Sequence, residues 1–307
     1  MSYLGMGIVF AAIAFVLANV VLTLAVVGAW PALRHRVHRP GALFLLRMIP
    51  ALGATMAAAG LALPAYFSFE PLKSGEKASA ALLAFVVLSA VIVAAGVVRA
   101  SGSWLTTRRL ERSWRLVAEP GTIGGVAVHR VPTALPFAAL VGIVRPRLYV
   151  SATLLDVLSD DQRAAVLAHE AGHGRAFDNV KRGLARFAPD LLVLTVTGRA
   201  IDDAWSAAAE ESADDHAAVA NGRLAVAAAL LAASRMAPVR LATVGNFCDA
   251  GTIAHRVERL LEEPQARSTG KVAGLLSISV LAVAGAAAVA SLPLVYAATE
   301  SIIRRLQ

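Results

Sequence analysis

Four stretches of the chain stay apolar for about the 20 residues that a helix needs to cross a bilayer: 8–30, 48–69, 78–98 and 272–298. They predict four transmembrane helices. A fifth apolar run, 188–198 (APDLLVLTVTG), is about half that length and predicts a buried or interface-dipping helix of a soluble part. Between the third and fourth spans the pattern changes. Val126–Val131 (VAVHRV) and Arg147–Ser151 (RLYVS) predict short strands, separated by the breakers Pro132, Pro136 and Pro146. A helical pattern follows, opening with Ser159 and Gln162 at capping-box spacing and running through 164–177. The expected fold is a mainly α membrane protein: residues 1–99 form three spans, 100–271 an inserted α+β domain, and 272–307 the fourth span with a short tail.

Composition sharpens this picture. Of 307 residues, 57% are hydrophobic and 16% charged, against about 25% charged in soluble domains, which excludes an ordinary soluble globule. A single cysteine, Cys248, excludes an internal disulfide. The net charge of +8 does not call for direct nucleic acid binding, because a polytopic chain gathers basic residues on its cytosolic side. The first loop holds Arg34, Arg36 and Arg39, with Arg47 in reach to snorkel, whereas the next sets Lys73 and Lys77 against Glu70 and Glu76. The first loop is therefore expected in the cytosol, the N-terminus outside, and 99–271, with 21 of the 29 basic residues, in the cytosol. Arg304 and Arg305 in the outer tail run against the rule. The first span lacks a basic leader and is too long for a cleavable signal, so it is expected to remain an anchor. Asn19, mid-span, is expected to hydrogen-bond a neighbouring helix. Residues 99–117 interleave Arg108, Arg109, Arg112 and Arg115 with Trp104, Leu105 and Trp114. That pattern suits an amphipathic helix lying on anionic headgroups and the solvated face of a linker helix equally well.

Residues 169–173 read HEAGH. His169 and His173 lie one helical turn apart, so both imidazoles leave the same face and can take two tetrahedral positions on one Zn²⁺. Glu170 beside them is placed to act on water rather than to ligate, the general-base role in peptide hydrolysis. With 7 histidines in the chain, such a match seldom arises by chance. A catalytic zinc needs a third protein ligand and an open position. The helix AAAEESADDHAA offers Glu210 with Asp214 one turn on, where a carboxylate can accept the second N–H of a ligand histidine. Glu211 with Asp215 has the same spacing, and geometry alone does not separate the two registers; without HEAGH this cluster would read as a solvated helix face. Asp178, five residues past His173, reads as a capping or histidine-orienting residue. His129 reads as a strand residue, and His35 and His38 as part of a basic loop. Arg147–Ser151 is expected to be an edge strand on which an extended substrate adds its backbone.

The run 136–179, with Pro136, Phe137, Gly142, Arg145 and Pro146 ahead of HEAGH and Asp178, followed by EESADD at 210–215, resembles the BlaR/MecR-type integral membrane zinc metallopeptidases. More distantly it is similar to HtpX-type membrane proteases. The resemblance implies a gluzincin-like domain between the third and fourth spans of a multi-pass protein in a bacterial-type cytoplasmic membrane. It implies Zn²⁺ as cofactor with His169, His173 and Glu210 as ligands, Glu170 as base and Asp214 orienting a ligand, and so favours the Glu210 register. The HtpX relatives carry a late His-Pro segment, absent from GTIAHRVERLL at 251–261; Arg256, His216, His255 and Tyr149 stand as transition-state or structural candidates, as does Asp178. The implied function is an endopeptidase cutting a cytosolic protein, of the BlaI/MecI repressor type, in signal transduction. HtpX-like quality control is the alternative within proteases. A non-proteolytic zinc scaffold is the alternative outside them, though a scaffold has no need of Glu170. The expected partners are the membrane and a protein substrate, with a homodimer left open. β-Lactam sensing is not expected, because no penicillin-binding domain follows the fourth predicted span.

Overall fold

The computed structural model describes residues 2–71, 79–143, 145–236, 250–262 and 292–306. Most of the fourth predicted span, 272–291, lies outside the described residues, as do Lys73, Glu76, Lys77 and Cys248. Among the described residues, three rods are long and apolar enough to cross a membrane. The first is α1 (Tyr3–Leu33), capped by Ser2, whose hydroxyl accepts from the Gly5 N–H. The second joins α2 (Pro40–Thr55), a π-helical turn (Met56–Ala62) and α3 (Leu63–Phe69). The third is α4 (Ala80–Val117), capped by Ser79. α2 starts at Pro40, eight residues before its apolar stretch, because a proline at the first helical position sacrifices no hydrogen bond.

At one end of the bundle Tyr3, Tyr66 and Phe67 pack ring against ring, the Tyr66 hydroxyl donates to the Tyr3 carbonyl (2.8 Å), and Tyr296 stacks on Phe10. Tyr66 and Phe10 are fully buried there, so the rings form an aromatic core that ties the rod ends together. The helical stretch 292–306 joins it, burying Ile303 with Met6 and Phe10.

At 38 residues, α4 is about 57 Å long at 1.5 Å per residue, nearly twice a hydrocarbon core of about 30 Å. Its second half therefore leaves the bundle along the same axis. Residues 101–109 are exposed, and Trp114 stacks on Phe137 (4.4 Å between centroids). Of the two readings of 99–117, this geometry carries the linker helix: a helix lying on the headgroups would need a break near Arg99.

A four-stranded mixed sheet follows, in the order β1-β2-β4-β3. β1 (Glu119–Ile123) and β2 (Val126–Val131) form a hairpin whose turn, Gly124-Gly125, has φ 56° and 80°, the left-handed backbone that a two-residue hairpin favours. β4 (Arg147–Ser151) runs parallel to β2 and antiparallel to β3 (Ala138–Val141). Arg147–Ser151 is thus an inner strand and not the predicted edge; the edges are β1 and β3. Then come α5 (Ala152–Val157), α6 (Asp160–Arg175), α7 (Asp178–Phe187), α8 (Val196–Asn221), α9 (Arg223–Met236) and α10 (Ala250–Leu261). The main core of this part gathers Val150, Leu154, Leu167, Val226, Leu230 and Leu260 between sheet and helices.

Three further expectations change. Residues 188–198 are not a helix: a loop with one 3-10 turn (Leu192–Leu194) leads into α8. Asn19 grips that loop rather than a neighbouring helix, donating to the Pro189 carbonyl and accepting from the Leu191 N–H, both at 2.9 Å. Arg47 does not snorkel; it is buried, with Asp190 at 2.9 Å and Asp202 at 3.0 Å. In each case a polar group in the bundle finds its partner on the inserted part, which costs less than reaching for water.

Candidate metal centre

Ser159 and Gln162 complete the capping box of α6 and start the helix that carries HEAGH. The 3.6-residue period puts His169 and His173 on one face and turns Glu170 about 100° away. Opposite lies α8, close because position 172 has no side chain: a Cβ on Gly172 would sit 3.1 Å from the Ala213 Cα and 3.3 Å from the His216 Cβ. That approach brings Glu210 to the histidines.

The His169 and His173 Nε2 atoms are 3.2 Å apart. One Glu210 oxygen lies 3.4 Å from the first and the other 3.5 Å from the second. The other ring nitrogen of each histidine meets a carboxylate: His169 Nδ1 is 2.9 Å from Asp214, and His173 Nδ1 is 2.8 Å from Asp178. Phe177, in left-handed backbone at φ 55°, makes the turn that returns Asp178 to His173. With each Nδ1–H donated to its carboxylate, both Nε2 lone pairs point at one another and at Glu210. Only a cation between them makes that arrangement favourable. Two ligands on a tetrahedral zinc, each about 2.05 Å from it, are about 3.3 Å apart. The three donor groups stand at that spacing, so the residues present fit a zinc ion.

The charges agree. Burial disfavours a proton on His173, but the Asp178 and Glu210 hydrogen bonds outweigh it and raise its pKa to about 10. The same contest, with Asp214 and Glu210 as partners, raises His169. Burial would raise Glu210, yet the two histidines hold it well below the usual carboxylate range. Asp214 is lowered against its own burial by Arg256 and then His169. In the metal-free chain, protons take the place of the cation.

The two acidic registers part here. Glu210 and Asp214 face the histidines. Glu211 and Asp215 face away, toward Arg259, at 3.9 and 2.6 Å, with His255 3.7 Å from Glu211. Arg256 is buried, donating two 2.7 Å hydrogen bonds to Asp214, with Glu210 at 3.3 Å; it braces the carboxylates and does not open onto a substrate space. His255 is exposed, His216 packs at the α6–α8 crossing, and Tyr149 is buried between Trp114 and His129. None of these three joins the cluster.

Glu170 points to the sheet, where its carboxylate accepts from the Leu140 N–H on edge strand β3 at 2.9 Å. It also walls a cavity of about 260 Å³ lined by Ala127, His129, Leu140, Leu148 and Leu167. Two residues escaped sequence reasoning: Asn179 donates to the Leu140 and Gly142 carbonyls at 2.7 and 3.0 Å, and Arg182 lies 3.7 Å from Glu210. Asn179 directly follows the singled-out Asp178, a signal that position could have given; Arg182 offered none.

Three side chains that can hold a metal ion, beside a buried glutamate, are an arrangement that metal-dependent hydrolases use. Residues 126–242, from β2 through α9, match peptidase family M48. This match, with three helices able to span a bilayer, supports a membrane-associated zinc metallopeptidase. No curated protein and no solved structure matches the chain.

Proposed function

We propose that this protein is a membrane-embedded zinc endopeptidase with its domain in the cytosol, and that it cuts a cytosolic protein of the BlaI/MecI repressor type. The observation that carries the peptidase reading is the placement of Glu170. It lies one residue from a histidine of the metal cluster, with its carboxylate on the outward N–H of an edge strand. An extended peptide that takes over the Leu140 groups now held by Glu170 and Asn179 would lie along that edge, its scissile carbonyl between Glu170 and the cluster. His169, His173 and Glu210 would hold the zinc, which when bound supplies Lewis acidity toward water and the carbonyl. Glu170 takes the proton from the attacking water and passes it to the departing amine. Asp214 and Asp178 keep each Nδ1 protonated, so that each Nε2 presents its lone pair. The basic first loop supports the cytosolic placement, and the resemblance of 136–179 to the BlaR/MecR-type peptidases supports the repressor as substrate.

The test uses the full chain in liposomes with zinc and a purified repressor of that type, followed by mass spectrometry of the products. Defined cleavage by the wild type is expected, with a loss of roughly 10²- to 10⁴-fold in Glu170→Gln at unchanged zinc content. Zinc loss in Glu170→Gln would make that residue a ligand. An intact repressor alongside cleavage of unfolded membrane proteins would move the function to quality control.

A further inference from the structure

The three rods give a depth scale. Counting about 20 residues, or about 30 Å of hydrocarbon, from the rod ends at Tyr3, Phe69 and Ala80 reaches residue 23 on α1, Ile49 on the second rod and Ala100, next to Arg99, on α4. Arg47 and Arg99 therefore stand at one level, the boundary nearer the inserted domain. Asn19 lies about 6 Å deeper. Yet Asn19 holds the Pro189 carbonyl and the Leu191 N–H, Leu191 packs against Phe15, Val16, Ala54 and Ile92, and Ala188 is buried with Met48 and Ala51. The loop thus reaches past the arginine level into the bundle.

Non-helical backbone survives at that depth only if its polar groups are satisfied by protein. Here they are supplied one by one. Arg99 donates to the Ala188 carbonyl, Pro189 has no N–H, the Asp190 N–H turns back to the Ala188 carbonyl, and the Asp190 carboxylate accepts from the Val193 N–H. Leu194 and Thr195 donate to the Leu191 and Leu192 carbonyls. A loop facing water would not need this. Its outer side shows Phe187, Leu194 and Val196, the last two 74% and 79% exposed, flanked by exposed Arg186 and Arg199. Apolar residues between two cations suit a bilayer boundary.

We propose that residues 187–196 are a membrane-inserted wedge of the domain that follows the third rod, whose apolar side is covered by lipid acyl chains and whose flanking arginines meet the headgroups. At the same level the spans themselves expose Leu45, Ile49, Leu52, Val97 and Val98, which is why lipid, and not a second protein, is the occupant. This rests on the membrane placement of the three rods and not on the peptidase reading.

The test is a nitroxide on Leu194→Cys in a Cys248→Ser background, with the full chain in liposomes of phosphatidylcholine and phosphatidylglycerol. Val219→Cys, at 90% exposure and about 35 Å along α8 from Val196, is the comparison. The ratio of oxygen to aqueous nickel-chelate collisions should be several-fold higher at 194 than at 219. Equal ratios would overturn the wedge. Should Leu194→Cys not fold, Val196→Cys carries the same expectation, and a water-like ratio there overturns it equally. Neither readout depends on zinc or cleavage.

Discussion

Asp214→Asn is the most informative single change at the metal cluster. The wild-type carboxylate is fully buried and takes three short contacts on two oxygens: two N–H groups of Arg256 at 2.7 Å and His169 Nδ1 at 2.9 Å. Asparagine keeps the size but turns one acceptor into an NH₂ donor, which must face either Arg256 or the imidazole N–H. Arg256, itself buried, then lacks its full counter-charge. Breaking a buried pair from one side costs about 3–5 kcal/mol, and the ligand His169 loses the group that fixes its tautomer, worth about 10- to 100-fold in metal affinity. Asp178→Asn is the internal control, since Asp178 serves His173 with no arginine on it, only Lys181 at 3.6 Å. Zinc affinity by chelator competition should fall in both variants. Thermal unfolding should fall by roughly 10 °C for Asp214→Asn, and by clearly less for Asp178→Asn. Equal shifts would refute the role given to Arg256.

Glu210→Ala should strip zinc, measured by elemental analysis, whereas Glu211→Ala, partly exposed and paired at 3.9 Å, should retain it and cost less than about 1 kcal/mol. Because His173 is raised from 6.5 to about 10 in the metal-free chain, zinc must displace a proton, so affinity should climb as pH rises from about 6.5 to 10. The metal-free chain should show the opposite trend in denaturation: the contribution of protonated His173 is complete below pH 6.5 and lost as pH rises through 10. Arg47→Met should destabilise the bundle by about 3–5 kcal/mol by leaving Asp190 buried and unpaired, and adding Asp190→Asn should recover part of it; no recovery would mean that Asp190 is not the partner that matters.

HEAGH was legible because its meaning is local: an i, i+4 pair on a capped helix needs no knowledge of the rest of the chain. The choice between Glu210 and Glu211 was not legible from spacing and rested on the resemblance alone, since both registers repeat on one helix and only the face that α8 turns to α6 separates them physically. Apolarity over 188–198 misled because it reports burial and says nothing of the period. Pro189 and Asp190 break a helix there, and the residue that replaces the lost backbone bonds, Asn19, is 170 positions away. β1 and β3 escaped because EPGTI and AALV are too short and too mixed to read as strands. Arg147–Ser151 did carry a sign against an exposed edge: Leu148, Tyr149 and Val150 form an unbroken apolar run in place of an alternating one, as in strands covered on both faces.

The pentapeptide HEAGH has two letters that its chemistry leaves unspecified, but the second of them is not free in this chain. Even a Cβ at 172 would stand 3.1 Å from the Ala213 Cα and 3.3 Å from the His216 Cβ, closer than carbon atoms normally pack. It would press the helix bearing Glu210 away from the helix bearing both histidines, in the direction that lengthens the reach of Glu210 to them. Gly172 therefore acts as a spacer of zero thickness, and the reach of Glu210 is set by an atom that is absent.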